Sequence, residues 1–371
     1  MNEYLIRDPD AIPSPALIYY RELLDQNLDT VLEIAGGPDR LWPHVKSHKC
    51  LEMVKLQMSR GIRRFKCATV AEAEMVCMAG AEAALLAMAP AGPMARRLLA
   101  LQRAYPKTRI LGLVDCEEHL NAYASALEAG ESFSLMIDVN LGMDRTGVSL
   151  QDVPELVRCF SAVPELHLMG LHCYDGDHHE FSPRERAANV EPEIAAAFSL
   201  RKRLQAEGYA LEWMIMGGSP TFPIHAKHRD EGVFYSPGTV FLHDMAYAEG
   251  FPDLPFRPAA ALLCRVLSHP LPGRFTIDCG CKAIASDPSG PDKGVLVGCD
   301  HCRPVLQCEE HWVFQMDPGF EDRRPAIGST VYVIPRHVCP CAPLYPSVLV
   351  ASRGEIVDEW EITARNRRIK F

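Results

Sequence analysis

From about residue 40 the chain alternates short apolar runs with longer segments rich in Ala, Leu, Glu and Arg. The apolar runs favour β-strands, and the segments between them have helical spacing. Helices are predicted at 70–80, 92–104 and 182–208, and strands at 40–46, 64–69, 83–89, 109–115, 134–139, 167–174, 212–218 and 232–242. Eight strand–helix units over roughly 210 residues match the size of a (β/α)₈ TIM-type barrel.

The pattern changes after a proline-rich segment at 251–258. Short β-runs separated by Gly, Pro and Asp follow, which is typical of an antiparallel β-domain. Because the N-terminal residues lead into a strand before the first helix, we expect them to join this domain. The sequence therefore predicts an α/β protein with a barrel over 16–250 and a C-terminal antiparallel β-domain formed by 1–15 and 251–371. A doubly wound sheet is the alternative, but no GxGxxG opens a helix after the first strand.

Composition narrows the class of partner. The chain has 371 residues and a formal net charge of −10, which argues against nucleic acid as a partner. No apolar run approaches the roughly 18 residues of a membrane span, and no signal peptide is apparent. Fourteen cysteines without a secretion signal indicate reduced thiols. We therefore expect a cytoplasmic protein that binds neither nucleic acid nor membranes.

The stretch WPHVKSHKC (42–50) contains two lysines, two histidines and a cysteine. It could be a metal site at His44 and His48, a solvated loop, or the setting of one special lysine. Lys46 ends the first predicted barrel strand, and barrel active sites lie at that end of the strands. A lysine there with its ammonium form disfavoured can form an imine with an aldehyde.

Two glycine-containing loops follow the seventh and eighth predicted strands. Barrels commonly bind a phosphate at these positions through backbone N–H groups. In the first loop Ser219 and Thr221 add hydroxyl donors, and in the second Gly238 and Thr239 supply an N–H pair. Glycine pairs in loops are otherwise ordinary turns.

Further polar side chains follow strands five and six. Arg145 could bind an acidic group or a heteroaromatic nitrogen. His172 and Tyr174 lie two apart on one strand, so they face one side, where His172 could contact a planar cofactor. The cluster at 175–179 could bind substrate or supply a base, with His179 as a catalytic candidate. The alternative for that cluster is a solvated loop.

A second chemical feature is PRHVCPCAP (335–343). His337 and Cys339 lie two apart and could bind a divalent metal such as Zn²⁺ or Mn²⁺. A competing zinc site is formed by four cysteines with the spacing of a zinc knuckle, although cysteines are also common core residues: Cys279, Cys281, Cys299 and Cys302.

In chain order, WPHVKSHKC, FKCATVAEAE, DRTGV, GLHCYDG, MGGSPT, SPGTVFLHD, RHVCP and VDEWEITARNR resemble the D-threonine aldolase and D-serine dehydratase family over about 13–367. This resemblance implies pyridoxal 5'-phosphate enzymes with an alanine-racemase-like barrel, a β-domain and a homodimeric assembly. It places the cofactor-bearing lysine at Lys46 and the metal ligands at His337 and Cys339. The remaining cofactor contacts that it implies are Arg145, Tyr174, Gly217, Gly218, Ser219, Gly238 and Thr239.

The metal motif distinguishes two activities within that family. Its aldolases generally have aspartate at the second metal position, whereas cysteine is associated with zinc-dependent dehydratases. The resemblance therefore implies a lyase that converts a β-hydroxy D-amino acid into a 2-oxo acid and ammonia. Retro-aldol cleavage to glycine and an aldehyde stays open, with His178, His179 or the run 309–311 as the base; a racemase or a non-catalytic cofactor-binding protein is a further alternative. Trp42 replaces the usual arginine before PHVK, which predicts an altered substrate pocket.

Overall fold

The computed structural model describes residues 2–371. It contains two compact units. The β unit comprises the residues up to Thr30, 47–50 and 239–365, and the barrel unit comprises 31–46, 51–238 and 366–371. The β unit therefore takes in the strand β1 (Ala16–Tyr20) and the start of the helix α1 (Arg21–Ala35).

The barrel unit alternates strands with helices, as the hydrophobic pattern predicts. In chain order its elements are α2 (Leu51–Ser59), β2 (Arg64–Cys67), α3 (Val70–Met78), β3 (Ala83–Leu86), α4 (Met94–Ala104), β4 (Arg109–Val114), α5 (Glu117–Ala124), β5 (Phe133–Asn140), β6 (Val148–Ser149), α6 (Val153–Cys159), β7 (Leu166–Tyr174), α7 (Pro183–Ala206), β8 (Trp213–Met216), α8 (Phe222–His225) and β9 (Val233–Tyr235). The predicted strand 232–242 is too long, because Pro237 ends the pairing and Thr239–Phe241 forms a 3₁₀ turn.

The strands form one parallel sheet in the order β2-β3-β4-β5-β7-β8-β9, with β6 beside β5. The segment 41–44 closes the ring, because Leu41 bridges Tyr235 of β9 and His44 bridges Lys66 of β2. The predicted (β/α)₈ barrel is confirmed, but its first strand is shorter than 40–46. Lys46 lies just beyond it, in the 3₁₀ turn Val45–Ser47.

Trp42 belongs to the interior packing of the barrel. Its side chain is fully buried, and its ring lies 5.6 Å from Trp213 and 6.2 Å from Phe234. The cluster also contains Leu111 and Met136. The expectation that Trp42 alters the substrate pocket is wrong, because residues on a barrel strand alternate between its faces and this one points into the apolar core.

The β unit has the predicted antiparallel character. After α9 (Met245–Gly250) its strands are β10 (Ala260–Ser268), β11 (Arg274–Ile277), β12 (Gly294–Leu296), β13 (Cys302–Gln307), β14 (Trp312–Met316), β15 (Thr330–Pro335), β16 (Ser347–Ser352) and β17 (Glu355–Glu361). They follow the order β13-β14-β11-β10-β1-β16-β17, with β15 joining β10 to β12. β1 is antiparallel to β10 and parallel to β16. In the described part of the chain, no helix is both long and apolar enough to span a membrane.

Candidate active site

A polar cleft opens at the carboxyl ends of the barrel strands. It encloses about 530 Å³ including the solvent at its mouth. Its walls are formed by His44, Lys46, Lys66, Ala87, Asp138, Val139, Asn140, Met143, Arg145, Thr146, His172 and Tyr174. Five of the side chains predicted from the sequence therefore meet in one place with residues that the sequence did not indicate.

Lys46 reaches the cleft from the turn that follows the closing segment. Its side chain is exposed, and its backbone N–H donates to His44 Nδ1 at 3.3 Å. His48 has a different environment, because burial lowers its pKa to about 3 and its Nδ1 accepts the Cys50 N–H at 3.2 Å. The motif thus presents Lys46 and His44 to the cleft and keeps His48 as a neutral buried side chain.

Asp138 and His172 form a buried pair because β5 and β7 place them directly opposite each other. His172 Nδ1 donates to Asp138 Oδ1 at 2.7 Å, and Asp138 Oδ2 accepts the Thr146 hydroxyl at 2.9 Å. Burial opposes ionisation of Asp138, but these hydrogen bonds still lower its pKa. Burial also lowers the pKa of His172. The imidazole is therefore neutral, with its proton on Nδ1 and a lone pair on Nε2.

The loop after β5 carries Arg145 over the cleft. The guanidinium carbon lies 5.1 Å from the centroid of the Tyr174 ring, within the range of a cation–π contact. Two carboxylates fix this loop through hydrogen bonds. Asp138 Oδ2 accepts from the Thr146 hydroxyl, and Asp115 Oδ2 accepts the Gly147 N–H at 3.0 Å. A cationic group is thus held beside an aromatic face on an anchored loop.

The glycine loop after β8 is organised by a buried carboxylate. Asp175 Oδ1 accepts the Gly218 N–H at 2.7 Å and the Thr221 hydroxyl at 2.9 Å, and Oδ2 accepts from His225 Nε2 at 2.6 Å. The Gly217 N–H donates to the Cys173 carbonyl at 3.1 Å. Three of the donors expected to bind phosphate are therefore engaged within the protein, and they shape the loop.

The three remaining loop positions are divided between the two units. Ser219 is buried, and its hydroxyl accepts the Gly238 N–H at 3.3 Å, which ties the second loop to the first within the barrel unit. Thr239 belongs to the β unit, where its hydroxyl lies 3.4 Å from Ser47 Oγ and 3.4 Å from Cys339 Sγ.

Lys66 is the cleft residue that the sequence reasoning missed. It lies on β2, is 2% exposed, and donates from Nζ to Ser236 Oγ at 2.6 Å. Burial lowers its pKa to about 7, and the nearby Lys46 charge adds to this effect. The sequence did offer one signal for Lys66, which is a lysine inside the apolar run RFKCAT. Side chains alternate along a strand, and this alternation places Lys66 on the inner face of the barrel.

The residues predicted as bases for retro-aldol cleavage lie in contrasting environments. His178 is buried between Glu180 Oε1 at 3.2 Å and Glu193 Oε2 at 3.1 Å, whereas His179 is exposed. In the run 309–311, the two glutamates form surface ion pairs with Lys282.

The candidate metal pair lies after β15 in the β unit. His337 Nδ1 donates to Asp287 Oδ2, and the His337 side chain is also hydrogen-bonded to Cys339. Cys339 Sγ donates to Ser47 Oγ at 3.1 Å. Burial opposes protonation of His337, but the two hydrogen bonds raise its pKa to about 9.

The four cysteines of the competing zinc site do not converge. Cys279 is buried and interacts with Cys264, whereas Cys299 and Cys302 are hydrogen-bonded to each other. Among residues 2–371, three potential ligand atoms lie within 4.8 Å of one another in a different group, which consists of Asp115, Cys116 and His119.

The side chains present fit pyridoxal phosphate. His172 Nε2 is buried and has no hydrogen-bond partner among the described residues, as expected for an atom that faces a ligand. Lys46, Lys66 and Arg145 give the cleft a cationic surplus that suits a phosphate and a carboxylate. The donors in the β unit fit a divalent metal, because a carboxylate at His337 Nδ1 leaves Nε2 and the Cys339 thiolate as ligands.

Comparison with known proteins agrees with the fold. The family model "Alanine racemase, N-terminal domain" matches residues 21–240, and the model "Putative serine dehydratase domain" matches 259–351. The chain is 28% identical to a D-threonine aldolase of an Arthrobacter species, over 96% of this chain and 94% of that one. It is 24% identical to D-threo-3-hydroxyaspartate dehydratase of a Delftia species, over 94% and 97%.

Two solved structures share the fold. D-threonine aldolase from Filomicrobium marinum superposes with a TM-score of 0.87 at 25% identity, covering 97% of this chain and 98% of that one. A metal-free form of the D-threo-3-hydroxyaspartate dehydratase, with one cysteine replaced by alanine, superposes with a TM-score of 0.81 at 21% identity over 95% and 98%. The chain belongs to the alanine racemase N-terminal domain family, and it is a pyridoxal-phosphate-dependent enzyme.

Proposed function

We propose that the protein is a pyridoxal-phosphate- and divalent-metal-dependent lyase that acts on a β-hydroxy D-amino acid. Its proposed reaction is dehydration, which yields a 2-oxo acid and ammonia. The observation that carries this proposal is the His337–Cys339 pair, in which a histidine oriented by Asp287 contacts a thiol. Both relatives named above act on β-hydroxy D-amino acids according to their names.

In this proposal the cleft residues hold the cofactor as follows. Lys46 bears it, His172 and Tyr174 contact its ring, Arg145 contacts an acidic or ring-nitrogen group, and the loop residues Gly217, Gly218, Ser219, Thr221, Gly238 and Thr239 form the phosphate site. Bound pyridoxal phosphate withdraws electrons from the substrate bond that breaks at Cα. Within this set, Gly217, Gly218 and Thr221 act by shaping the loop, because their donors are engaged internally.

Lys46 moves the proton in the proposed dehydration. Its side chain is exposed to the cleft, so Nζ can take the proton from the substrate Cα. Asp138 keeps the His172 proton on Nδ1, which presents a lone pair at Nε2 in the cleft wall. The cationic side chain of Arg145 attracts the substrate carboxylate.

The β unit supplies the metal ligands in this proposal. His337 Nε2 and Cys339 Sγ would hold the ion, and Asp287 would fix the histidine tautomer. A bound divalent metal assists departure of the β-hydroxyl as a Lewis acid. A thiolate with an imidazole favours Zn²⁺, although Mn²⁺ is the alternative.

Retro-aldol cleavage is the second candidate. The similarity to D-threonine aldolase over 96% of the chain favours it. That reaction needs a base for the β-hydroxyl proton, for which His179 is the candidate, because the neighbouring His178 already contacts Glu180 and Glu193.

One product assay separates the two reactions. The purified enzyme is loaded with pyridoxal phosphate and incubated with D-serine, D-threonine and 3-hydroxy-D-aspartate, with and without a chelator. Dehydration releases a 2-oxo acid and ammonia in equal amounts, and we expect the chelator to stop it. Accumulation of glycine and an aldehyde would establish the aldolase instead. Wild-type protein that takes up no pyridoxal phosphate would disprove both proposals.

We further propose that the enzyme is cytoplasmic, and the resemblance supports a homodimer. Light scattering on the loaded enzyme should give twice the 41.2 kDa chain mass.

A further inference from the structure

Lys66 is a buried lysine whose nearest carboxylates already have other partners. It is 2% exposed and its Nζ lies 5.1 Å from the centroid of the Tyr174 ring. Asp138 accepts from His172 and Thr146, and Asp175 accepts from the Gly218 N–H, Thr221 and His225. A buried ammonium is costly unless an opposite charge compensates it, so an anion bound nearby would stabilise the protonated form of Lys66.

A short chain of hydrogen bonds connects Lys66 to both glycine loops. Its Nζ donates to Ser236 Oγ at 2.6 Å, and Ser236 Oγ is within 3.1 Å of the Gly217 carbonyl. Ser236 lies two residues before Gly238, whose N–H donates to Ser219 Oγ at 3.3 Å. Lys66 therefore lies behind the point where the two loops meet.

The charges that face Lys66 come from several elements of the barrel unit. Lys46 and Arg145 disfavour its protonation, whereas Asp138 and Asp175 favour it. Burial is the largest effect, and together these groups lower the pKa of Lys66 to about 7. An added dianion near the loops would reverse this balance, because opposite charge favours the protonated amine.

We propose that Lys66 is a cofactor-binding residue whose ammonium compensates the phosphate charge of pyridoxal phosphate and whose bond to Ser236 holds the two glycine loops together. This inference rests on the proposed function, since it assumes that the loops bind the cofactor phosphate. It assigns phosphate affinity to a strand residue behind the loops.

The test compares two aldehydes that differ in the phosphate. Wild-type enzyme and Lys66→Met are freed of cofactor and titrated with pyridoxal phosphate and with pyridoxal, with binding followed by absorbance. We expect Lys66→Met to weaken pyridoxal phosphate binding about 10- to 100-fold, as for loss of one charge-assisted bond. Pyridoxal, which has no phosphate, should bind the two proteins within about threefold of each other.

Lys55→Met is the matched control. Lys55 is half exposed in the same unit and pairs with Glu52, so its replacement removes one positive charge without changing the cleft. It should leave both affinities unchanged. Equal weakening of both aldehydes by Lys66→Met would overturn the proposal, because it would indicate a ring contact or a general structural role. Unchanged affinity for both would overturn it as well.

A second variant covers the case in which Lys66→Met does not fold. Ser236→Ala keeps the lysine and removes the bond to the loops. We expect a weakening of about three- to tenfold that is confined to pyridoxal phosphate, and no such selectivity would contradict the proposal. Wild-type protein that binds neither aldehyde would reject the proposed function itself, so the two failures are distinguishable.

Discussion

The cleft of the barrel unit and the donor pair of the β unit are built in opposite ways. In the cleft, Asp138 and His172 face each other because the two adjacent strands β5 and β7 pair them directly. The donor pair lies on a loop after β15, and His337 is more than a third exposed. Strand pairing orients side chains with few additional contacts, whereas a loop site depends on contacts from distant residues.

Asp244 provides one such contact. Its Oδ2 accepts the N–H of Val338, which lies between the two donors, at 3.0 Å. Its Oδ1 accepts the Tyr247 N–H at 3.0 Å in the first turn of α9. The donor loop is therefore fixed through its backbone as well as through Asp287.

Removing one group from each site tests whether the cleft and the donor pair bind their ligands independently. We expect Lys46→Ala to abolish stable cofactor uptake and to reduce turnover by at least about 10³-fold, since covalent attachment is lost. Cys339→Ala should retain cofactor absorbance, lose the metal and reduce turnover by about 10²-fold or more. Absorbance, metal analysis and turnover assays measure these effects. Loss of cofactor in both variants would show that the sites are not independent in binding.

Trp42→Ala tests whether this residue acts in the core. The deletion leaves a cavity among Trp213, Phe234 and their neighbours, so the free energy of unfolding should fall by about 3–5 kcal/mol. Urea denaturation measures this loss. The ratio of turnover on D-serine to turnover on D-threonine should stay constant. A changed ratio would show that Trp42 influences substrate choice.

Asp138→Asn tests the histidine orientation that strand pairing produces. The amide can no longer hold the Nδ1 proton as a carboxylate does, so we expect kcat to fall by about 10- to 100-fold. The pH profile of kcat should shift with it. Asp287→Asn is the matched change in the β unit, and it should weaken metal affinity without altering cofactor absorbance.

The pH dependence of the free energy of unfolding tests the lowered pKa of the buried Lys66. In cofactor-free protein the folded state releases this proton near pH 7, whereas the unfolded chain retains it to about pH 10. The unfolded state therefore binds more protons between these values, and the free energy of unfolding rises with pH. Relative to Lys66→Met, the wild type should gain about 2 kcal/mol between pH 7 and 9. Urea titrations at both pH values measure it, and a parallel dependence in both proteins would contradict this pKa.

The smallest effect is expected for His179→Gln. Its imidazole is exposed and lies on a loop, so we expect kcat for dehydration to change by less than about threefold. Aldol cleavage should respond more strongly if His179 is its base. A large loss of dehydration would assign the residue a role in both reactions.

The alternating pattern was sufficient for the barrel, because the strands predicted between 64 and 216 are mostly apolar and are separated by segments with helical spacing. The pattern made the first and last predicted strands, 40–46 and 232–242, too long. Pro43 and Pro237 interrupt regular pairing there, and turns begin. Element ends depend on local backbone geometry that hydrophobic periodicity does not encode.

The candidate site was predictable where motif and strand position coincide, as at Lys46, Arg145, His172 and Tyr174. Lys66 was missed because a single inward lysine in a strand has no motif. The roles of Gly218 and Thr221 could not be foreseen either, since their donors are taken by Asp175, whose side-chain direction depends on the folded loop. Such competition among buried donors appears only in three dimensions.

The bridges of the segment 41–44 have a kinetic consequence. Leu41 meets Tyr235 across about 190 residues of chain, whereas the other neighbouring barrel strands are close in sequence. Bringing such distant segments together costs more chain entropy than forming a strand–helix–strand repeat. We therefore expect ring closure at this seam to be a late step in folding. A chain cut short before β9 should leave the edges of the segment 41–44 and of β8 open to association with other chains.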